Sequence, residues 1–447
     1  MYDLVLRRAL IAEGRPPVDI AVAGGTIALV GEATWPVLAR ETFDCDGLVV
    51  VPGFIEPHLH LDKALLDSVA PNPEGTLAGA IEVTGRLKRE FTHASVRARA
   101  LQVLRWAVAN GTTLIRAHPD VDPIGGLTGL DVMLELRESQ RHLVDLQVVA
   151  FPQEGIERAP GTHDLLREAL RRGADVIGGC AYNEADLDAS RRHIDTVLGL
   201  AVEFGVPADL HADFADDTSD GRFALAGAIA EATRRHGLGG RVTLGHVTSL
   251  AACPPAERAE VVALLAEAGV AVVALPATDL HIGGRGDARA VRRGVAPVRE
   301  LLDGGVVTAY SSNNVRNAFT PFGNADMLDI GLLLAQTCHM GSPSDTARIL
   351  RMATTEAARV TGVHDGYGIH PGARADLVVL GTRRHADVLT DRPDRRLVVK
   401  RGRVVARTVR TTELLDGPDV PDAGVSGGPS VSGAPGRPAA VRRARVA

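Results

Sequence analysis

From about residue 49 to residue 316 the chain repeats one pattern eight times. A short apolar run is followed by a polar cluster and then, in most cases, by a stretch of helical character. The first run is VVVPGFIEPHLHLDK, and the others are TTLIRAHPDV, DLQVVAFPQEG, ADVIGGCAYNE, VPADLHADF, RVTLGHVTS, VAVVALPATDLHIGG and VVTAYSSNNVR. Apolar strand runs alternating with helices pair in parallel, because each helix covers the sheet face and returns the chain to the same edge. Eight such units predict an α/β fold, a (β/α)8 TIM-like barrel. The polar clusters stand at the C-terminal ends of the runs, where barrels of this kind carry their active sites.

The two ends of the chain read differently. Residues 2 to 50 are short apolar runs broken by turns, with Gly24-Gly25 as a hairpin signal. A matching piece returns at ADLVVLG (375–381) and RRLVVKRGRVVA (395–406), turning at Arg401-Gly402. Two β fragments at opposite ends most simply make one small sandwich beside the barrel. The expected organisation is therefore 1–52 and 369–407 as the two parts of a β-sandwich and 53–368 as the barrel. Residues 408–447 are dense in Gly, Pro and Ser and are expected to be a disordered tail.

Composition narrows the class of partner. Of 447 residues only 3% are aromatic while 45% are hydrophobic, so the core must rest on Ala, Val, Leu and Ile. A net charge of −6 argues against nucleic acid or an anionic membrane as the main partner. The four cysteines, Cys45, Cys180, Cys253 and Cys338, lie far apart with no C-x-x-C spacing and read as reduced thiols. With no signal-peptide pattern at Met1 and no apolar run of membrane length, the chain is expected in the cytoplasm, associating with itself through helical faces.

Chemistry enters at His58 and His60. Residues i and i+2 on a strand face the same way, so both imidazoles can reach one metal ion from one side. His211 and His246 end the fifth and sixth runs, at matching positions of the barrel.

The wording PGFIEPHLHLDK, together with PADLHADF, VTLGH, AFPQEGI (150–156), LHIGGR (280–285) and NADML (324–328), resembles the amidohydrolase superfamily, and its cytosine deaminase-like branch in particular. The resemblance covers about residues 1 to 406. It implies a mononuclear hydrolase of a C–N bond in a cyclic amide, amidine or N-substituted heterocycle. In that reading His58, His60 and His211 hold one Zn²⁺ or Fe²⁺, with Asn313 at the fourth ligand position, and His246 is the catalytic proton partner of the water. Gln153 reads the amide edge of the ring, since a primary amide both donates and accepts. Phe319 stacks on the ring, and Phe214, Asn314 and His281 complete the substrate site. Separately, the only lysines are Lys63, Lys88 and Lys400, none near the fourth run, which speaks against a second metal bridged by a carbamylated lysine.

Two positions depart from the branch. Phe214 stands where those enzymes carry a proton-shuttling glutamate, and Asn313 stands where they carry a metal-ligating aspartate. A three-histidine zinc site can still bring a bound water to a pKa of about 7, but an amide cannot act as a base. General acid-base help is worth about 10² to 10⁴ in rate, so Asp62, Glu154, Asp213, Asp216 and Asp217 enter as substitutes. The Asp216-Asp217 pair reads equally as a solvated loop. Loss of both acids also leaves two other readings: a metal-assisted elimination, cyclisation or isomerisation, and a pseudoenzyme that only binds a ligand.

Overall fold

The computed structural model describes residues 1–32 and 38–413. The predicted tail lies outside the described residues from position 414 onward. Eight parallel strands form one sheet in chain order: Phe54–Leu59, Thr112–Ala117, Asp145–Ala150, Val176–Cys180, Ala208–Ala212, Val242–His246, Val270–Ala274 and Thr308–Tyr310. They correspond to the eight apolar runs. Their residues are almost all buried, as strands covered on both faces must be.

The barrel closes at the site itself. Leu59 bridges Asn313, the His60 amide donates to the Asn313 carbonyl at 2.8 Å, and the Asn313 amide donates to the His58 carbonyl at 3.1 Å. Glu56 reinforces the joint, because its buried carboxylate accepts from the amide and the hydroxyl of Ser312, each at 2.7 Å, and from the Ser311 hydroxyl. The eighth strand is only three residues long, so these bonds replace the missing length of ladder.

Beside the barrel lie two four-stranded sheets. One holds Tyr2–Ala9, Val18–Ala23, Thr26–Glu32 and Ala39–Asp44, and the other holds Val50–Pro52, Leu377–Leu380, Arg395–Lys400 and Arg403–Arg407. Leu4, Leu6, Ile20 and Val22 from the first pack with Leu377, Val379, Leu397 and Val399 from the second. Each such side chain taken from water contributes about 1.5 to 3 kcal/mol, which ties the two chain ends together. Both predicted turns form. Ala23 pairs Thr26 around Gly24-Gly25, and Lys400 pairs Arg403 around Arg401-Gly402, with positive φ at all four central residues. Gly402 has a further reason, since a Cβ there would lie 2.6 Å from Val22.

Helix Leu77–Lys88 is started by Thr76, whose hydroxyl accepts from the Gly79 amide. Its far end buries Lys88 among Asp122 at 2.6 Å, Glu154 at 2.8 Å and Asp120 at 3.1 Å. Those carboxylates hold the Lys88 ammonium charged, raising its pKa against the opposing effect of burial. Among the described residues no helix is long and apolar enough to cross a membrane.

Candidate metal centre and active-site cavity

Nitrogen atoms of His58, His60 and His211 converge within 4.8 Å of one another. His58 and His60 come from the first barrel strand and its end, and His211 from the fifth, as strand alternation requires. The Nε2 atoms of His58 and His211 face each other at 2.7 Å. His60 donates its Nδ1–H to the His118 carbonyl at 2.8 Å, which leaves its Nε2 as a lone-pair donor. Behind His58, Asp209 Oδ1 lies 3.5 Å from Nδ1 and 3.3 Å from His118 Nε2, while Arg116 pairs the other carboxylate oxygen at 2.9 Å. A carboxylate behind a ligating histidine fixes the ring and strengthens it as a donor.

Burial keeps these imidazoles neutral. It pushes His58 down to about 3, with His118 adding to the effect, and drives His60 and His211 well below the ordinary value. Neutral imidazole is the form a metal requires. Asn313 Oδ1 is buried with no hydrogen-bond partner, and Asn313 lines the same pocket as His60 and His211. Gly245 leaves the His58 ring its place, since a Cβ there would lie 3.1 Å from Cε1. Donor set, tautomer and orphaned oxygen all fit one divalent ion.

A small pocket of about 10 Å³, room for about one water, lies beside this cluster. His60, His211, His246 and Asn313 form one wall, and Gln153, Phe319, Phe214, Asn314, Lys63 and Tyr182 form the rest. Each of these ten residues is at most 5% exposed. His281 stands outside the lining, half-buried on the short helix Pro276–Ile282, with Arg285 and the Phe322 ring as neighbours.

His246 is held from two sides. Its Nδ1 lies 2.6 Å from Asp279 Oδ1, and the Phe214 ring stacks on it at 3.9 Å with 11° between planes. Burial raises the Asp279 carboxyl above its ordinary range against the pull of His246. Backbone strain gathers at the same strand ends, where Asp213, His246 and Asn313 all have positive φ. For residues other than glycine that conformation costs about 1 to 2 kcal/mol each, and it persists where the surroundings over-determine it.

The substitute acids point elsewhere. Asp213 accepts from the Leu225 and Ala226 amides, at the start of helix Ala226–Arg235. Asp62 accepts from the Asp120 amide, Glu154 pairs with Lys88, Asp216 accepts from the Gly284 amide, and Asp217 is exposed in its loop. Lys63 is a lining residue that the sequence pattern gave no role. Its ammonium bonds Asp120 at 2.7 Å and the Gln153 side-chain oxygen at 3.3 Å. Its position beside His58-x-His60 was visible in the sequence, but its partner lies 57 residues away. Asp279, Tyr182, His118 and Asp209 likewise carry no motif that announces them.

Residues 41–406 match the Amidohydrolase family. The chain is 30% identical over 413 residues to N-isopropylammelide isopropyl amidohydrolase of Pseudomonas sp. (strain ADP), covering 91% of this chain and 98% of that one. It is 34% identical over 410 residues to pterin deaminase of Rhizobium rhizogenes (strain K84 / ATCC BAA-868), covering 91% of each. Among solved structures, 5-methylcytosine deaminase from Klebsiella pneumoniae liganded with 5-fluorocytosine superposes with a TM-score of 0.87 at 28% identity, covering 92% of this chain and 99% of that one. With its barrel, its histidine cluster and a match spanning most of its length, this chain belongs to the amidohydrolase family.

Proposed function

We propose that this chain is a mononuclear metal-dependent hydrolase of a C–N bond in a nitrogen heterocycle or cyclic amide. The observation that carries the reading is the convergence of three neutral imidazoles, two of which, His60 and His211, line a buried pocket together with Gln153 and Phe319. Two of the relatives described above are named deaminases and the third an amidohydrolase. His58, His60, His211 and the Asn313 side-chain oxygen would hold a divalent ion, Zn²⁺ or Fe²⁺, which when bound would supply Lewis-acid activation of water.

The chain's own groups do the rest. Asp279 accepts the Nδ1–H of His246 and so fixes the tautomer whose lone pair sits on Nε2, the atom that takes a proton and returns it to the departing nitrogen. Asn313 has no charge and no basicity, so the base role falls to His246. Gln153, held by Lys63, offers an amide to the ring edge, while Phe319 gives a flat surface for stacking. Phe214 covers His246 with an apolar ring and excludes bulk water from the proton path. The test is release of ammonia or amine from a panel of aminopyrimidines, aminotriazines and pterins by metal-loaded protein. His246→Ala should cut turnover by about 10² or more. A panel left untouched by the metal-loaded protein would end the hydrolase reading.

A further inference from the structure

What the pocket shows a ligand depends on which way its side-chain amides point, and at Asn314 the backbone decides. Asn317 sits in the loop after the eighth strand, 3% exposed, and its Oδ1 accepts from the Phe319 amide at 2.9 Å and the Thr320 amide at 3.3 Å. A backbone N–H can only donate, so the atom that faces both is the oxygen. Nδ2 of Asn317 is thereby turned to the other side, where it donates to Asn314 Oδ1 at 2.7 Å. Asn314 in turn must present its own oxygen to Asn317. Its Nδ2 points away and donates one hydrogen to Thr278 Oγ1 at 3.2 Å.

The relay runs in one direction only. Turning the Asn317 amide over would set NH₂ against two backbone N–H groups, and turning Asn314 over would set two NH₂ groups face to face. Asn314, Asn317 and Thr278 are all buried, so bulk water repairs neither clash. Asn314 lines the pocket together with Asn313 and Phe319. Its oxygen is engaged and one amide hydrogen is spent, which leaves the second Nδ2 hydrogen to satisfy. A buried carbonyl with one bond made is content, whereas a buried N–H without an acceptor is costly.

We infer, on the hydrolase reading above, that Asn317 is a positioning residue for substrate recognition: it fixes Asn314 as a hydrogen-bond donor, and the ring meets Asn314 with a carbonyl oxygen or an unprotonated ring nitrogen, never with an N–H. The same Asn317 oxygen holds the backbone of Phe319, so one side chain sets both the stacking surface and the polarity beside it. Asn317→Asp would reverse that polarity. A carboxylate still accepts from the Phe319 and Thr320 amides but has no hydrogen for Asn314, so Asn314 turns over to donate, and its oxygen replaces the N–H in the pocket.

The experiment uses matched pairs on pyrimidine, triazine and pteridine rings, each keeping one amino group and carrying either oxo or amino at a second carbon. Calorimetric affinity and ammonia release are both measured on metal-loaded protein. Wild type should favour the oxo member roughly tenfold or more in at least one pair, the scale of one buried hydrogen bond. Asn317→Asp should cut that ratio by about tenfold or reverse it. Gln153 also offers the pocket an amide, so the assignment to Asn314 rests on a double variant: with Asn314→Ala in place, Asn317→Asp should change the ratio no further. Asn314→Asp removes the N–H directly and should move the ratio the same way, which keeps the test open if Asn317→Asp does not fold. An Asn317 that only shapes the Phe319 loop would weaken both members alike. No oxo preference in any pair, a ratio untouched by Asn317→Asp or by Asn314→Asp, or an Asn317→Asp effect that persists without the Asn314 side chain would overturn the inference, and ammonia release in those samples would leave the hydrolase reading standing. The expected ratios without ammonia release would keep the assignment and remove the hydrolase reading, and binding of no pair would remove both.

Discussion

Asp279 Oδ1 lies 2.6 Å from His246 Nδ1, and both groups are buried at the C-terminal end of the barrel. The contact gives His246 one tautomer and one orientation, which is what a proton-transfer group needs when no carboxylate faces the cavity. Asp279→Asn should lower kcat by about 10²-fold, with metal content unaltered. A kinetic series with elemental analysis of the same samples checks both halves.

On the proposed reading Asn313 would contribute an uncharged oxygen to a site that carries the full charge of a divalent ion. Asn313→Asp places a negative charge there and should tighten metal retention on the order of tenfold or more in a chelator competition. Combined with Phe214→Glu, it should also raise kcat/KM for ammonia release from unsubstituted amino rings, as read on the same panel of aminopyrimidines, aminotriazines and pterins.

Glu56 gives a pH signature of the barrel joint. Burial raises its carboxyl to about 7 from an ordinary 4.5, against the opposing hydrogen bonds of Ser311 and Ser312. A folded-state pKa above the unfolded one means that the folded protein holds the proton more tightly. The stabilising contribution is therefore full below about pH 4.5 and is lost as pH rises through 7. The stability difference between wild type and Glu56→Gln, measured by denaturant unfolding after chelation, should shift against the wild type from pH 5 to pH 8. A difference constant across that range would remove Glu56 as the cause.

The thiols should be silent in the native protein. Burial pushes Cys45 and Cys180 up to about 12 and Cys338 to about 11, and Cys253 is buried. Thiolate is the reactive form, so a thiol reagent at pH 8 should modify the folded chain slowly and all four cysteines after unfolding.

The barrel was legible because strand runs and polar ends repeat locally, and His58, His60, His211 and His246 could be placed by strand periodicity alone. Gln153, Phe319, Asn313 and Asn314 came through motif wording and do line the cavity. His281 did not reach the lining, because the helix Pro276–Ile282 carries Asp279 inward and leaves His281 half-buried outside it. The acids that followed His211 were legible as acids but not as partners. Asp213 turns to backbone amides 12 and 13 residues ahead through its positive φ, a contact no spacing rule contains. Lys63 and Asp279 show the same limit, since each acquires its role only when distant strand ends meet.

The most direct test of the account is metal content per chain, by elemental analysis of protein purified without added metal or chelator, beside a His58→Ala, His60→Ala double variant. Wild-type protein should carry about one zinc or iron per chain and the variant none. Wild-type protein as empty as the variant, still folded and still failing to take up either ion when supplied, would contradict it.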